Sequence, residues 1–69
     1  MKLNTRVRYT GDSETLNKQG IKGITGTLRQ TSGTVIDSDG DLVQVNYEDV
    51  TPQLAIVQFW VNESQLKVE

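Results

Sequence analysis

The chain contains no cysteine and no histidine, and among its 69 residues there are one proline, one tryptophan, two tyrosines and one phenylalanine. Without cysteine no disulfide can form, and the thiolate and imidazole ligands of ordinary zinc sites are missing. Catalysis by a cysteine nucleophile or a histidine acid–base group is therefore excluded. We predict that the protein is not an enzyme and holds no cofactor. Absence of cysteine is compatible with a reducing compartment, so we expect a cytoplasmic protein.

Long hydrophobic segments are also lacking. The longest nearly apolar run, residues 54–61, is too short to cross a bilayer, and residues 1–6 carry no apolar core of signal-peptide length. We therefore expect a soluble protein with no membrane partner. A chain of this length makes one small domain, residues 1–69, with a small hydrophobic core.

The N-terminal stretch has the alternating pattern of a half-buried strand. Leu3, Val7 and Tyr9 share one face, and Arg6 and Arg8 lie on the opposite, solvated face. This pattern predicts a first strand with two arginines exposed side by side.

A polar segment, residues 12–23, follows this strand and is predicted to be a long loop anchored by Leu16 and Ile21. The alternative is that Asp12 or Ser13 caps a single helical turn inside this segment.

A second strand is predicted over residues 24–30, because Ile24, Gly26 and Leu28 fall on one face of an extended chain. Glycine inside a strand indicates a bend or the close approach of another backbone. The pattern leaves open whether residues 24–37 form one bent strand or two.

The pair Asp39-Gly40 predicts a tight hairpin, because glycine accepts the positive φ that such turns need. The strand that follows, residues 42–47, should bury Val43, Val45 and Tyr47. This strand is expected to be the central one of a small antiparallel sheet.

The apolar run 54–61 differs from the other strands because it is apolar on both faces. Its second face needs a cover, which the curl of a barrel, the long loop or a second subunit could supply. We therefore mark Ile56, Gln58 and Trp60 as interface residues, with a homodimer through this strand as one arrangement. Asn62 then has the form of a cap for a short turn, and residues 66–68 make a final strand.

This succession of strands, with a long first loop and a one-turn helix before the last strand, resembles the small SH3-like barrels. These include KOW-type modules and the stand-alone barrels of the photosystem I ferredoxin-docking type. The resemblance implies an all-β fold of about five antiparallel strands and a role as a binding module. It covers nearly the whole chain and rests on Arg6, Val7, Gly23, Gly26, Thr27, Gly40, Asp41, Val43, Val45, Trp60, Val61, Leu66 and Val68.

The acidic residues of the hairpin match part of a calcium loop. Asp37, Asp39 and Asp41 take its first, third and fifth positions, and Glu48 takes its twelfth. The sixth position, which needs glycine, is Leu42, and a strand rather than a helix follows. We therefore predict an acidic hairpin tip and no metal site.

The net charge of −2 is unevenly distributed along the chain. Residues 1–36 hold six basic and two acidic residues, a balance of +4, whereas residues 37–69 hold one basic and seven acidic residues, a balance of −6. Positive charge on the first strand and long loop makes these segments the candidate binding surface. The residues concerned are Arg6, Arg8, Lys18, Lys22 and Arg29.

Two hypotheses follow for this surface. The first is an accessory subunit or binding module that recognises another protein or joins a larger complex. The alternative is nucleic-acid binding in the manner of KOW modules, but a sequence pI near 4.9 and the few aromatic residues favour the first.

Overall fold

A computed structural model of the protein describes residues 1–48 and 56–69. Five antiparallel strands form one sheet, which confirms the strand count and pairing mode predicted from the sequence. Two short helices lie in the connection between the first and second strands. The elements are β1 (Arg6–Tyr9), α1 (Ser13–Asn17), α2 (Thr25–Arg29), β2 (Gly33–Asp39), β3 (Leu42–Glu48), β4 (Ile56–Asn62), a 3₁₀ turn (Glu63–Gln65) and β5 (Leu66–Val68). Their order in the sheet is β4-β3-β2-β1-β5.

The predicted hairpin joins β2 to β3 through the two residues Gly40 and Asp41, and Gly40 has the positive φ of 62° that this turn requires. The inner face of β3 carries Val43, Val45 and Tyr47, all fully buried. The alternation of buried and exposed residues predicted for this strand is therefore confirmed.

The strand predicted over residues 54–61 is present as β4 from Ile56 onward, and the residues before Ile56 lie outside those described. Its inner face is buried, and the register with β3 places Phe59 opposite Val45 and Val57 opposite Tyr47. Ile56 and Gln58 are exposed on the opposite face.

The strand predicted over residues 24–30 is wrong, because this segment forms helix α2. The backbone N–H of Leu28 donates to the carbonyl of Ile24 at 3.0 Å, as in a helical turn. Ile24 and Leu28 are four residues apart and pack against the core, while Gly26 is exposed with open space around its Cα. The segment is thus a helix followed by β2, and neither a bent strand nor a pair of strands.

For the segment 12–23 the helical alternative is confirmed. The Asp12 carboxylate accepts a hydrogen bond from the backbone N–H of Thr15 at 3.0 Å and so caps α1. Both predicted anchors, Leu16 and Ile21, contact the hydrophobic core.

The first strand is shorter than predicted. It begins at Arg6, because Asn4 adopts a φ of 70° that interrupts the extended chain. Leu3 therefore does not share the buried face of Val7 and Tyr9, and 59% of its surface is exposed.

The hydrophobic core lies between the inner face of the sheet and the two short helices. At its centre the ring of Phe59 stacks on Tyr47, with centroids 5.9 Å apart, and meets the Tyr9 ring edge-on at 5.6 Å. Leu16 and Leu28 close the core from the helices. The buried residues are Val7, Tyr9, Leu16, Leu28, Val35, Val43, Val45, Tyr47, Val57, Phe59, Val61 and Leu66.

Candidate functional site

Three of the five predicted basic residues contact different partners within the protein. Arg8 Nε lies 3.0 Å from Glu69 Oε1, and Lys18 Nζ lies 3.8 Å from Glu14 Oε1. The guanidinium of Arg29 donates twice to the carbonyl of Gly11, at 2.5 and 3.1 Å. These three contacts lie in different places: between β1 and the residue after β5, along α1, and at the turn after β1.

The remaining two, Arg6 and Lys22, line two separate depressions of the surface. We call the first the Arg6 cleft and the second the β4 groove. The Arg6 cleft is lined by Arg6, Ser32, Thr34, Asn46 and Glu48. The β4 groove is lined by Gly20, Ile21, Lys22, Ile24, Ile56, Val57 and Gln58.

The β4 groove has a volume of about 320 Å³ and separates the segment after α1 from the start of β4. That segment turns back because Gly20 and Gly23 have φ values of 85° and 81°. The turn holds Ile21 and Ile24 half-buried against the core, so that apolar side chains form one wall of the groove.

The predicted interface residues Ile56 and Gln58 belong to the other wall of the β4 groove. Among the residues that the structure describes, β4 has β3 as its only strand neighbour and is thus an edge strand. Ile56 is 59% exposed. The structure therefore brings the predicted basic residue Lys22 together with two of the three predicted interface residues.

Trp60, the third predicted interface residue, is contacted by the long connection between β1 and β2. The side-chain amide of Gln19 donates to the Trp60 carbonyl at 2.7 Å, and the Trp60 N–H donates to Gln19 Oε1 at 3.0 Å. A side-chain amide thus occupies the place of a neighbouring strand at one position on the outer edge of β4. No sequence signal singles out Gln19, because the contact depends on how the connection folds back.

The Arg6 cleft lies on the outer face of the sheet and has a volume of about 250 Å³. The strand register aligns Arg6, Thr34, Asn46 and Gln58 in one row across four strands. Arg6 Nη1 donates to Thr34 Oγ1 at 3.3 Å, and Gln58 Nε2 donates to Asn46 Oδ1 at 3.0 Å. This row connects the Arg6 cleft to the β4 groove, since Gln58 lines the groove.

A carboxylate is already bound next to this cleft. Glu69 Oε1 accepts hydrogen bonds from the Ser32 hydroxyl at 2.6 Å and from Arg8 Nε at 3.0 Å. These bonds, first that of Ser32 and then that of Arg8, hold the pKa of Glu69 below its usual value. Alternation along β1 identified Arg8, but nothing in the sequence pairs it with Ser32 or Glu69.

The acidic residues that resemble a calcium loop lie along the β2–β3 hairpin. Asp37 and Asp39 belong to β2, Asp41 to the turn and Glu48 to the end of β3. The Asp37 carboxylate accepts a hydrogen bond from the backbone N–H of Ser38 at 2.8 Å. Within residues 1–48 and 56–69, no three carboxylates come close enough together to hold a metal ion.

The longest helices in the described ranges are five residues, and none of the helices there could span a membrane.

Comparison of the chain with models of known protein families, with curated proteins and with solved structures finds no match. The assignment of the candidate sites is therefore based on the geometry of this chain alone.

Proposed function

We propose that this protein is a small non-catalytic binding module, an accessory subunit that holds an extended segment of a partner protein in the β4 groove. The observation that carries the proposal is the pairing of the Gln19 amide with both backbone groups of Trp60. This pairing establishes which backbone groups of β4 face away from β3.

Residues of one strand alternate in the direction of their N–H and C=O groups. Since those of Trp60 point to the outer edge, those of Gln58 and Ile56 point the same way, into the β4 groove. Unpaired strand edges bind extended peptides by adding a strand, with main-chain hydrogen bonds giving affinity and side-chain pockets giving selectivity. Ile21, Ile24 and Val57 supply the apolar pocket beside this edge.

The composition of the groove indicates the chemistry of the partner. Its apolar wall favours alternate aliphatic side chains in the bound segment, and the exposed Lys22 favours an acidic residue at one end. The lack of cysteine is compatible with a reducing compartment, which supports a subunit of a cytoplasmic complex.

We further propose that the sheet is an SH3-like barrel. The strand order β4-β3-β2-β1-β5, the long connection between β1 and β2 and the 3₁₀ turn before β5 support this assignment. The nucleic-acid alternative is less favoured, because Arg8, Lys18 and Arg29 already contact acceptors within the protein.

The test is selection of peptides from a random library of eight-residue segments, followed by binding measurements on the protein and two variants. Gln58→Pro removes the outward N–H of Gln58, and proline is tolerated on an edge where that N–H faces outward. Gln58→Ala removes the side chain alone and is the matched control. We expect selected peptides with alternating apolar residues to bind the wild type and Gln58→Ala, and to lose at least tenfold in affinity on Gln58→Pro.

Thermal unfolding of both variants first shows that they fold. Equal binding to the two variants would contradict strand addition. A concentration-dependent dimer that Gln58→Pro abolishes would identify a second copy of the chain as the occupant instead, and retention on heparin that falls steeply with salt would support the nucleic-acid alternative.

A further inference from the structure

We propose that the Arg6 cleft binds the carboxylate of a glutamate or aspartate side chain of the partner protein. This inference rests on the proposed function in that the partner is a protein. The surface it concerns, the Arg6 cleft, shares no lining residue with the β4 groove.

The protein itself shows that this face of the sheet binds carboxylates. The Glu69 carboxylate is held between a guanidinium and a hydroxyl, those of Arg8 and Ser32. Arg6 lies two residues before Arg8, so the alternation of β1 places both guanidinium groups on the same face. Ser32 lines the cleft of Arg6 as well as contacting Glu69, so the two positions are adjacent.

Arg6 has the donors for a second carboxylate. Its side chain is exposed, and across residues 1–48 and 56–69 no carboxylate lies within 4.0 Å of its guanidinium. The bond from Arg6 Nη1 to Thr34 Oγ1, at 3.3 Å, uses one of its five N–H groups. The other donors bind no acceptor in the part of the chain that the structure describes, and they suit a two-pronged contact with a carboxylate.

Two further donors line the same cleft. The Thr34 oxygen accepts from Arg6, so its O–H is available to donate. The Asn46 oxygen accepts from Gln58, and within residues 1–48 and 56–69 the Asn46 NH₂ group donates to no acceptor. Guanidinium, hydroxyl and amide N–H from three neighbouring strands are a donor set for one oxyanion.

The charge of the cleft favours a carboxylate over the phosphates of a nucleic acid. Glu48, at its rim, offsets the charge of Arg6 and would repel a chain of closely spaced anions. A single carboxylate brings one negative charge near Glu48, whereas a nucleic acid brings several within the screening length, so Glu48 disfavours the nucleic acid more strongly.

The position of the cleft specifies where the acidic residue of the partner must lie. Arg6 and Gln58 are at the two ends of the row across four strands, a separation of about 14 Å at ~4.8 Å per strand. A partner segment in the β4 groove therefore needs an acidic side chain that reaches across the sheet from outside the groove.

The test uses N-acetyl-glutamic acid amide as the probe and N-acetyl-glutamine amide as its uncharged match, titrated into the ¹⁵N-labelled protein at constant ionic strength. We expect the glutamate probe to give saturable shifts of the Arg6 Nε–H, the Thr34 amide and the Asn46 side-chain NH₂. We expect Arg6→Gln to weaken this binding at least tenfold, and Glu48→Gln to tighten it about threefold through the loss of like-charge repulsion.

Equal shifts with the glutamine probe, or unchanged binding to Arg6→Gln, would overturn the inference. Shifts confined to Arg8, Ser32 and Glu69 would do the same, since they would show displacement of the internal carboxylate only. The probe has no strand to pair with β4, so its binding is independent of the peptide selection. A failed peptide selection with saturable glutamate binding would thus reject the β4 groove and retain the carboxylate site.

Discussion

The hydroxyl oxygen of Tyr47 accepts a hydrogen bond from the backbone N–H of Tyr9 at 3.0 Å in the buried core. The same hydroxyl donates to the carbonyl of Leu28 at 2.9 Å. One side chain of β3 thus connects the first strand to the end of α2. Because this N–H and this carbonyl have no access to water, the hydroxyl that satisfies both is a large contribution to stability.

Replacing Tyr47 by phenylalanine should therefore destabilise the protein by about 1–3 kcal/mol, because a buried N–H and a buried carbonyl lose their partner. Urea unfolding measures this change. Tyr9→Phe is the matched control, since the Tyr9 hydroxyl donates to the carbonyl of Asp12 in a partly exposed position. A smaller loss for Tyr47→Phe than for Tyr9→Phe would contradict this account.

Two glycines should respond to alanine in opposite directions. Gly26 lies in helix α2 with open space around it and without a positive φ, so Gly26→Ala should stabilise the protein by about 0.5 kcal/mol. A Cβ at Gly33 would lie 2.7 Å from the Tyr47 ring and 2.8 Å from a Val45 methyl carbon. Gly33→Ala should cost about 1–3 kcal/mol, because the packed core has to move. Thermal unfolding of the pair compares them, and a destabilised Gly26→Ala would argue against the helix.

The Gln19 amide should protect the Trp60 backbone from solvent. In Gln19→Ala, we expect the Trp60 amide hydrogen to exchange faster by about tenfold and stability to fall by about 1 kcal/mol. Gln30→Ala, at an exposed glutamine after α2, is the control and should leave this exchange rate unchanged. Protection of Trp60 that persists without Gln19 would mean that another group covers the edge.

Acid should destabilise the protein through Asp12. Hydrogen bonds from the backbone N–H and then the hydroxyl of Thr15 lower the pKa of Asp12. A lowered folded-state pKa contributes stability that is present above the pKa of the unfolded chain and is lost as the pH falls through the folded value. We expect the free energy of unfolding, measured by urea at pH values from 6 downward, to decrease once the pH is below about 4.

Asp12→Asn keeps an oxygen that can cap α1 and removes the titrating group. Its unfolding free energy should therefore fall less steeply with acid than that of the wild type, and identical slopes would contradict the assignment to Asp12. Glu69 has a lowered pKa too, so some acid sensitivity should remain in the variant.

Local signals predicted the parts of the fold that local sequence determines. The hairpin predicted from Asp39-Gly40 and the alternation of Val43, Val45 and Tyr47 need no other part of the chain to be recognised. The strand predicted over residues 24–30 is wrong because the spacing of Ile24 and Leu28 fits both a two-residue and a four-residue period. Packing against the core decides between them, and it buries Leu28 while leaving Gly26 in solvent.

For the candidate sites, too, some features follow from local sequence and others depend on distant segments. Alternation along β1 predicted that Arg6 would be exposed, which the structure confirms. Alternation along residues 54–61 predicted that Ile56 and Gln58 share the face opposite Val57 and Phe59, and the structure confirms this division while leaving Ile56 and Gln58 exposed. The hydrogen bonds beside these residues join distant segments. Gln19 is 41 residues from Trp60 at the edge of β4, and Glu69 is 37 residues from Ser32 beside the Arg6 cleft. Contacts at such separations depend on the folded arrangement, which no pattern in the sequence describes.

The position of Gln19 also limits how long a complex at the β4 groove can last. Its amide occupies the outer edge at Trp60, so an incoming segment that pairs with Ile56 and Gln58 must end there. In the part of this edge that the structure describes, the three residues 56–58 span about 10 Å and hold few main-chain hydrogen bonds. Contacts of this size dissociate quickly, so a single segment should exchange rapidly on this module, and a lasting assembly needs a second point of attachment elsewhere on the partner.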